Sequence, residues 1–149
     1  MSLDDDAVEA RAQGWRTLAA LHARIEDRLQ RALERDHELS VSEFTVLDVL
    51  TRQVGFHLRM NQLANAVVLS QSATTRLVTR LEDRGLLARY LCPDDRRGIY
   101  TEVTEAGQAL LRAARPTHDA VLADAIAEAG AVPELAPLVA ALGSLVFTK

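Results

Sequence analysis

Among the residues able to do covalent or metal chemistry, none stands in a useful pattern. His22, His37, His57 and His118 are scattered without metal-ligand spacing, and a single cysteine, Cys92, rules out an intrachain disulfide. The sequence contains no phosphate-cradling glycine loop and no nucleophile elbow. Cys92 and His57 as nucleophile and base is the weaker reading, since a lone cysteine at a strand end is more often a small packing residue. No enzyme is expected, and no cofactor or metal is implied. What does recur at chemically meaningful spacing is a set of hydrogen-bonding side chains between Leu69 and Gly85. Their chemistry is recognition.

The stretch opens with Ser70, a good N-cap, and closes at Gly85, where a left-handed residue is wanted after a helix. At ~100° per residue, Ala73, Leu77, Val78 and Leu81 fall on one side with Thr74 among them. Gln71, Ser72, Thr75, Arg76 and Thr79 fall on the other. That outward face is small, hydroxylated and basic, and Arg80 extends it, while Glu82 and Asp83 are held back to the far end. A helix entering the major groove by its N-terminal end needs slim side chains near the base edges and donors for phosphates and guanine. An ordinary solvated face would be the better reading if this helix stood alone.

The segment after Gly85 changes the balance. Residues 86–91 and 99–103 read as two short strands joined by Pro93 and the turn Asp94-Asp95-Arg96-Arg97-Gly98. Arginines at the tip of such a hairpin can reach the minor groove, where negative potential favours a guanidinium. In this reading Asp95 holds Arg97 in position.

Leu63-Ala64, Leu69-Ser70, Thr75 to Leu81, Arg84-Gly85-Leu86, Asp95 to Gly98 and Val103-Thr104 with Gly107 occur in one order at one spacing. In this the chain resembles the multiple-antibiotic-resistance-regulator (MarR) family of bacterial transcription factors, over essentially its whole length. The resemblance implies a mostly α winged helix-turn-helix with a two-stranded β wing and N- and C-terminal dimerisation helices. It further implies a homodimer on double-stranded DNA, with the second helix of the motif in the major groove and the wing in the minor groove. The family's groove-reading positions fall on Gln71, Ser72, Thr75, Arg76 and Thr79, and its wing positions on Asp95 and Arg97. With Ser70, Arg80 and Arg96, these form the expected DNA-binding set. One departure lies at Arg59, where a hydroxyl residue often caps the first helix of the motif; Asn61 is the substitute cap. Family members that sense hydroperoxides carry their cysteine near the N-terminus, so Cys92 is not expected to be a redox sensor.

The elements that must position this set are legible in outline. A long amphipathic helix is expected from about Val8 to Arg35, with Trp15, Leu18, His22, Ile25, Leu29 and Leu33 near one stripe, after a frayed acidic start. Ser40-Val41-Ser42-Glu43 is a capping box opening a helix through Phe44, Leu47, Val49 and Leu50. Gly55 begins the loop into the helix-turn-helix, which spans about residues 40–104. Thr104 should cap a long Ala-rich helix that Pro116 kinks or splits. Leu135, Leu138, Leu142, Leu145 and Val146 mark a last helix. The terminal helices, about residues 8–35 and 105–147, are expected to form the dimer interface of a chain that is one domain.

The net charge of −4 suits a DNA binder only once it is divided. Residues 70–97 hold six arginines against four acids, and the remainder eleven basic residues against seventeen acids. A local basic surplus on an acidic body favours one orientation on a polyanion. There is no apolar run of ~18 residues and no leader-like N-terminus, so a cytoplasmic protein without membrane contact is expected. The expected function is a repressor on a pseudo-palindromic operator, with a winged-helix protein-interaction module as the alternative and a nucleic-acid enzyme third. For an effector, the resemblance points to a cleft lined by Trp15, His22, Phe44 and His57, suited to a small aromatic or anionic molecule. Taken singly, each of these four reads more simply as core packing.

Overall fold

The computed structural model describes residues 3–94 and 98–145, so Asp95, Arg96 and Arg97, and Val146 at the other end, lie outside the described residues. Among the described residues, six α-helices and three strands follow one another: α1 Leu3–His37, α2 Val41–Thr51, β1 His57–Arg59, α3 Met60–Val67, α4 Gln71–Asp83, β2 Leu87–Leu91, β3 Ile99–Val103, α5 Glu105–Gly130 and α6 Ala136–Gly143. The fold is mostly α, a winged helix-turn-helix whose sheet is antiparallel in the order β1-β3-β2. The chain divides into two compact units, residues 33–117 and residues 1–32 with 118–149.

In the central unit, α2 begins with the expected capping box. Glu43 N–H donates to Ser40 Oγ and Ser40 N–H to the Glu43 carboxylate, each at 3.0 Å. The buried side chains of α2, Phe44, Val46, Leu47 and Leu50, meet Leu63 from α3 and Leu77, Val78 and Leu81 from α4 in one core. Thr74, fully buried, belongs to that face because its hydroxyl is satisfied within the helix by the Ser70 carbonyl at 2.9 Å. Leu33, Leu111 and Ala114 complete the core from the ends of α1 and α5 that lie in this unit.

The wing strands form as expected, paired from Leu87↔Val103 to Leu91↔Ile99. The sheet has a third member that the periodicity did not announce: β1 pairs with β3 from His57↔Glu102 to Arg59↔Tyr100. Three residues are too few for an alternation to be read, and only the pairing defines them. A 3-10 turn, Val54–Phe56, precedes β1 and contains Gly55 at φ 76°.

In the terminal unit, α1 runs from Leu3, the first described residue, its first turn carrying Asp4, Asp5 and Asp6 where the helix dipole favours anions. Leu21, Ala129 and Leu135 make its small core, with Ile25, Val132, Leu138 and Val139 against it. Within one chain only the second half of the expected stripe is covered, Leu29 and Leu33 being buried and Ile25 half-buried. Trp15, Leu18 and His22 are exposed, and Leu21 takes the buried position in their place. His22 instead pairs with Glu26 on the surface at 3.6 Å. Pro116 does not split α5, which runs from Glu105 to Gly130. Proline removes one hydrogen bond and crowds the preceding turn, yet the flanking segments are held by buried Leu111 and Ala114 on one side and Ala125 and Ala129 on the other. No described helix is long and apolar enough to cross a membrane.

Candidate nucleic-acid interface

The interface is built around α4. Its N-terminus is fixed by Ser70, whose Oγ accepts the Ala73 N–H at 3.2 Å. Its C-terminus is fixed by Gly85, left-handed at φ 75°, followed by a bond from the Leu86 N–H to the Leu81 carbonyl at 2.9 Å. Ser70 and Gly85 thus do what their types predict. The preceding helix, α3, begins without a hydroxyl cap. Gln62 accepts the Arg59 N–H through its side-chain oxygen at 3.1 Å, and Asn61 Oδ1 accepts the Gln62 N–H at 2.8 Å. Arginine has no acceptor with which to return the bond, and the amides of Asn61 and Gln62 share the work.

With Thr74, Leu77, Val78 and Leu81 buried, the opposite side of α4 is fixed. Ser70, Gln71, Ser72, Thr75, Arg76 and Arg80 are exposed, and Thr79 is half-buried beside them. The hydroxyls of Thr75 and Thr79 donate to the carbonyls of Gln71 and Thr75, each at 2.9 Å. That keeps both side chains close to the helix and leaves their oxygens outward as acceptors. Neither Arg76 nor Arg80 makes an ion pair among the described residues. Two acids of this region are otherwise engaged, and the exposed Asp83 stands at the far end of the helix. Glu82 accepts the backbone N–H of Arg89 at 3.1 Å and its guanidinium at 2.9 Å, and that guanidinium holds the carboxyl below its ordinary value. Glu43 pairs with Arg84 at 3.3 Å. The free charge left on this face is positive, which is what a phosphate backbone requires.

The wing rises beside α4 through the Glu82 to Arg89 link, and its last described bond runs from the Cys92 N–H to the Gly98 carbonyl at 3.0 Å. Cys92, the single cysteine of the chain, is buried. On one face of the sheet the His57 ring packs edge-on to Tyr100, centroids 4.7 Å apart. Tyr90 lies 5.6 Å from Tyr100, and the Arg59 guanidinium sits 5.8 Å over the Tyr100 ring. The joint with α5 is made by Thr104, whose hydroxyl donates to the Gly85 carbonyl at 2.7 Å and accepts the Gly107 N–H at 3.1 Å.

The four residues expected around an effector are not gathered in one unit. Trp15 and His22 belong to the terminal unit, and the indole is 71% exposed. Phe44 and His57 belong to the central unit, where Phe44, 3% exposed, is a core residue. A residue that periodicity did not single out is Val68, left-handed and exposed in the turn before Ser70.

Comparison with known proteins agrees with this geometry. Residues 37–98 match the model of the MarR family. The chain is 30% identical over 109 residues, 73% of each protein, to the HTH-type transcriptional regulator MhqR of Bacillus subtilis. A crystal structure of Sco3205, a MarR family transcriptional regulator from Streptomyces coelicolor in complex with DNA, superposes with a TM-score of 0.75 at 27% identity, covering 95% of this chain and 84% of that one. AbsC, a second such regulator from that organism, gives 0.74 at 29% identity over 87% and 86% of the two chains. This chain belongs to the MarR family of winged helix-turn-helix, DNA-binding transcriptional regulators.

Proposed function

We propose that the protein is a homodimeric repressor that binds a pseudo-palindromic operator and is released by a small aromatic or anionic molecule. The outward face of α4 carries the reading: slim polar side chains at its N-terminal end, two arginines without ion pairs among the described residues, and Glu82 and Glu43 tied to other partners. In this reading Ser70, Gln71, Ser72, Thr75 and Thr79 approach base edges, and Arg76 and Arg80 meet phosphates or guanine. Asp95, Arg96 and Arg97 at the wing tip serve the minor groove.

A second copy of the chain is supported by the apolar surface left on the terminal unit. Val8, Trp15 and Leu18 recur at helical spacing on α1, and Leu142 and Leu145 are exposed at the other end of the chain. Covering them with a twin is a two-fold solution that also supplies two recognition helices. For the effector, aromatic surface is offered separately by the exposed Trp15 indole in the terminal unit and the half-buried His57 ring in the central unit, while Phe44 is core.

Selection from randomised duplex DNA, followed by sedimentation of the complex, tests this reading. The expected site has two-fold character with half-sites about one helical turn, ~10 bp, apart, and binds two chains. A protein that selects no sequence, or a single asymmetric site bound by one chain, would instead be a winged-helix interaction module or a monomeric binder.

A further inference from the structure

The turn from α3 into α4 carries valine where the backbone asks for glycine. Leu69 N–H donates to the Ala64 carbonyl at 3.1 Å and Val68 N–H to that of Asn65 at 3.3 Å. Those two bonds are a Schellman closure, which needs a left-handed residue just after the helix, ordinarily Gly or Asn. Val68 takes that place at φ 57°, ψ 46°. A β-branched side chain is an outlier in this region, because its branches crowd the neighbouring peptide. The two backbone bonds hold the turn, but the Val68 side chain, 87% exposed, buries little surface against the described residues to offset the strain. Strain of this kind clusters at functional sites, and of the left-handed non-glycine residues among those described, Glu38, Phe56 and Val68, Val68 is the one in the turn into α4.

Its surroundings indicate the use. Val68 stands two residues before the cap of α4, and Ser70, Gln71 and Ser72, all exposed and polar, come directly after that turn. It is an apolar group at the end of the helix that enters the groove. Among the groups that base pairs display in the major groove, the 5-methyl of thymine is the apolar one. We infer that Val68 is a specificity-determining residue whose isopropyl group packs on a thymine methyl at the edge of each half-site. This rests on the reading of α4 as the groove-reading helix.

The test uses the selected operator with each thymine replaced in turn by deoxyuridine, symmetrically in both half-sites, which removes the methyl alone. The parent protein, Val68→Gly and Val68→Asn are titrated against each duplex. Glycine and asparagine both accept the left-handed backbone, so both variants should melt no lower than the parent. At one symmetric position the parent should lose about 15-fold in affinity, about fourfold for each methyl returned to water, and neither variant should lose any. The variants should bind the thymine operator about as weakly as the parent binds the deoxyuridine one. The inference is overturned if no thymine methyl matters to the parent, if the variants lose affinity in parallel with it, or if both variants melt lower. Failure of the underlying reading looks different: the parent protein would select no operator, and this inference would go with it.

Discussion

Gly107 carries no functional atom, yet the joint between α4 and α5 depends on its lacking a side chain. A Cβ there would stand 2.2 Å from the Leu86 carbonyl oxygen and 2.7 Å from Val103 Cγ1. The nearer atom is backbone and cannot swing aside. Gly107→Ala should therefore destabilise the protein by about 1–3 kcal/mol, the range for overpacking a well-filled site, or prevent folding. Denaturant unfolding checks this, and an unchanged midpoint would contradict it. Residues of this kind were legible because their types announce them: Ser40, Ser70 and Thr104 as caps, and Gly85 as the left-handed end of α4, each sits where it was expected. Val68 was not legible, because a valine says extended backbone and only the closure of α3 makes it left-handed. His22 misled for a related reason. Helical spacing placed it on the apolar stripe, but what a stripe is buried against is not written in its period, and within one chain the burial falls on Leu21.

At the scale of elements, α4 reaches the wing through one carboxylate. Glu82 accepts both the backbone N–H and the guanidinium of Arg89 in β2, and these hold its carboxyl below the ordinary value of 4.5. A carboxylate depressed by folding adds stability that is fully present above that value and is lost as pH falls through the folded-state one. Both partners are about a third exposed, so solvent screening limits the contribution to about 1 kcal/mol or less. Glu82→Gln should lower the melting temperature slightly at neutral pH and converge with the parent protein in acid. A constant offset between the two at every pH would contradict the link. The helices of this region were legible from different signals: α4 buries one regular face, whereas α2, covered on nearly all sides, is announced by its Ser40–Glu43 capping box. Strand β1 was not, since its three residues owe their conformation to pairing with β3. Nor was the persistence of α5 through Pro116, where anchoring on both sides outweighs a local breaker.

Across the whole molecule, charge rather than shape connects the sequence to its partner. A chain of net charge −4 concentrates six of its arginines in residues 70–97, and the structure leaves Arg76 and Arg80 without ion pairs among the described residues while Arg84 and Arg89 hold Glu43 and Glu82. Exposed Val8, Trp15 and Leu18 leave the terminal unit apolar on its outside, and in the proposed dimer they lie between copies. The central claim is that the exposed face of α4 meets duplex DNA, and affinity for the selected operator over a salt series tests it most directly. Each phosphate neutralised by an arginine releases condensed counterions, so log affinity should fall steeply and linearly with log salt for the parent protein. In Arg76→Ala/Arg80→Ala, which alters only exposed side chains and should melt normally, affinity should drop at least tenfold, and the slope should become shallower by about two or more as both copies lose their contacts. A variant whose line superimposes on that of the parent protein at every salt concentration would contradict the account.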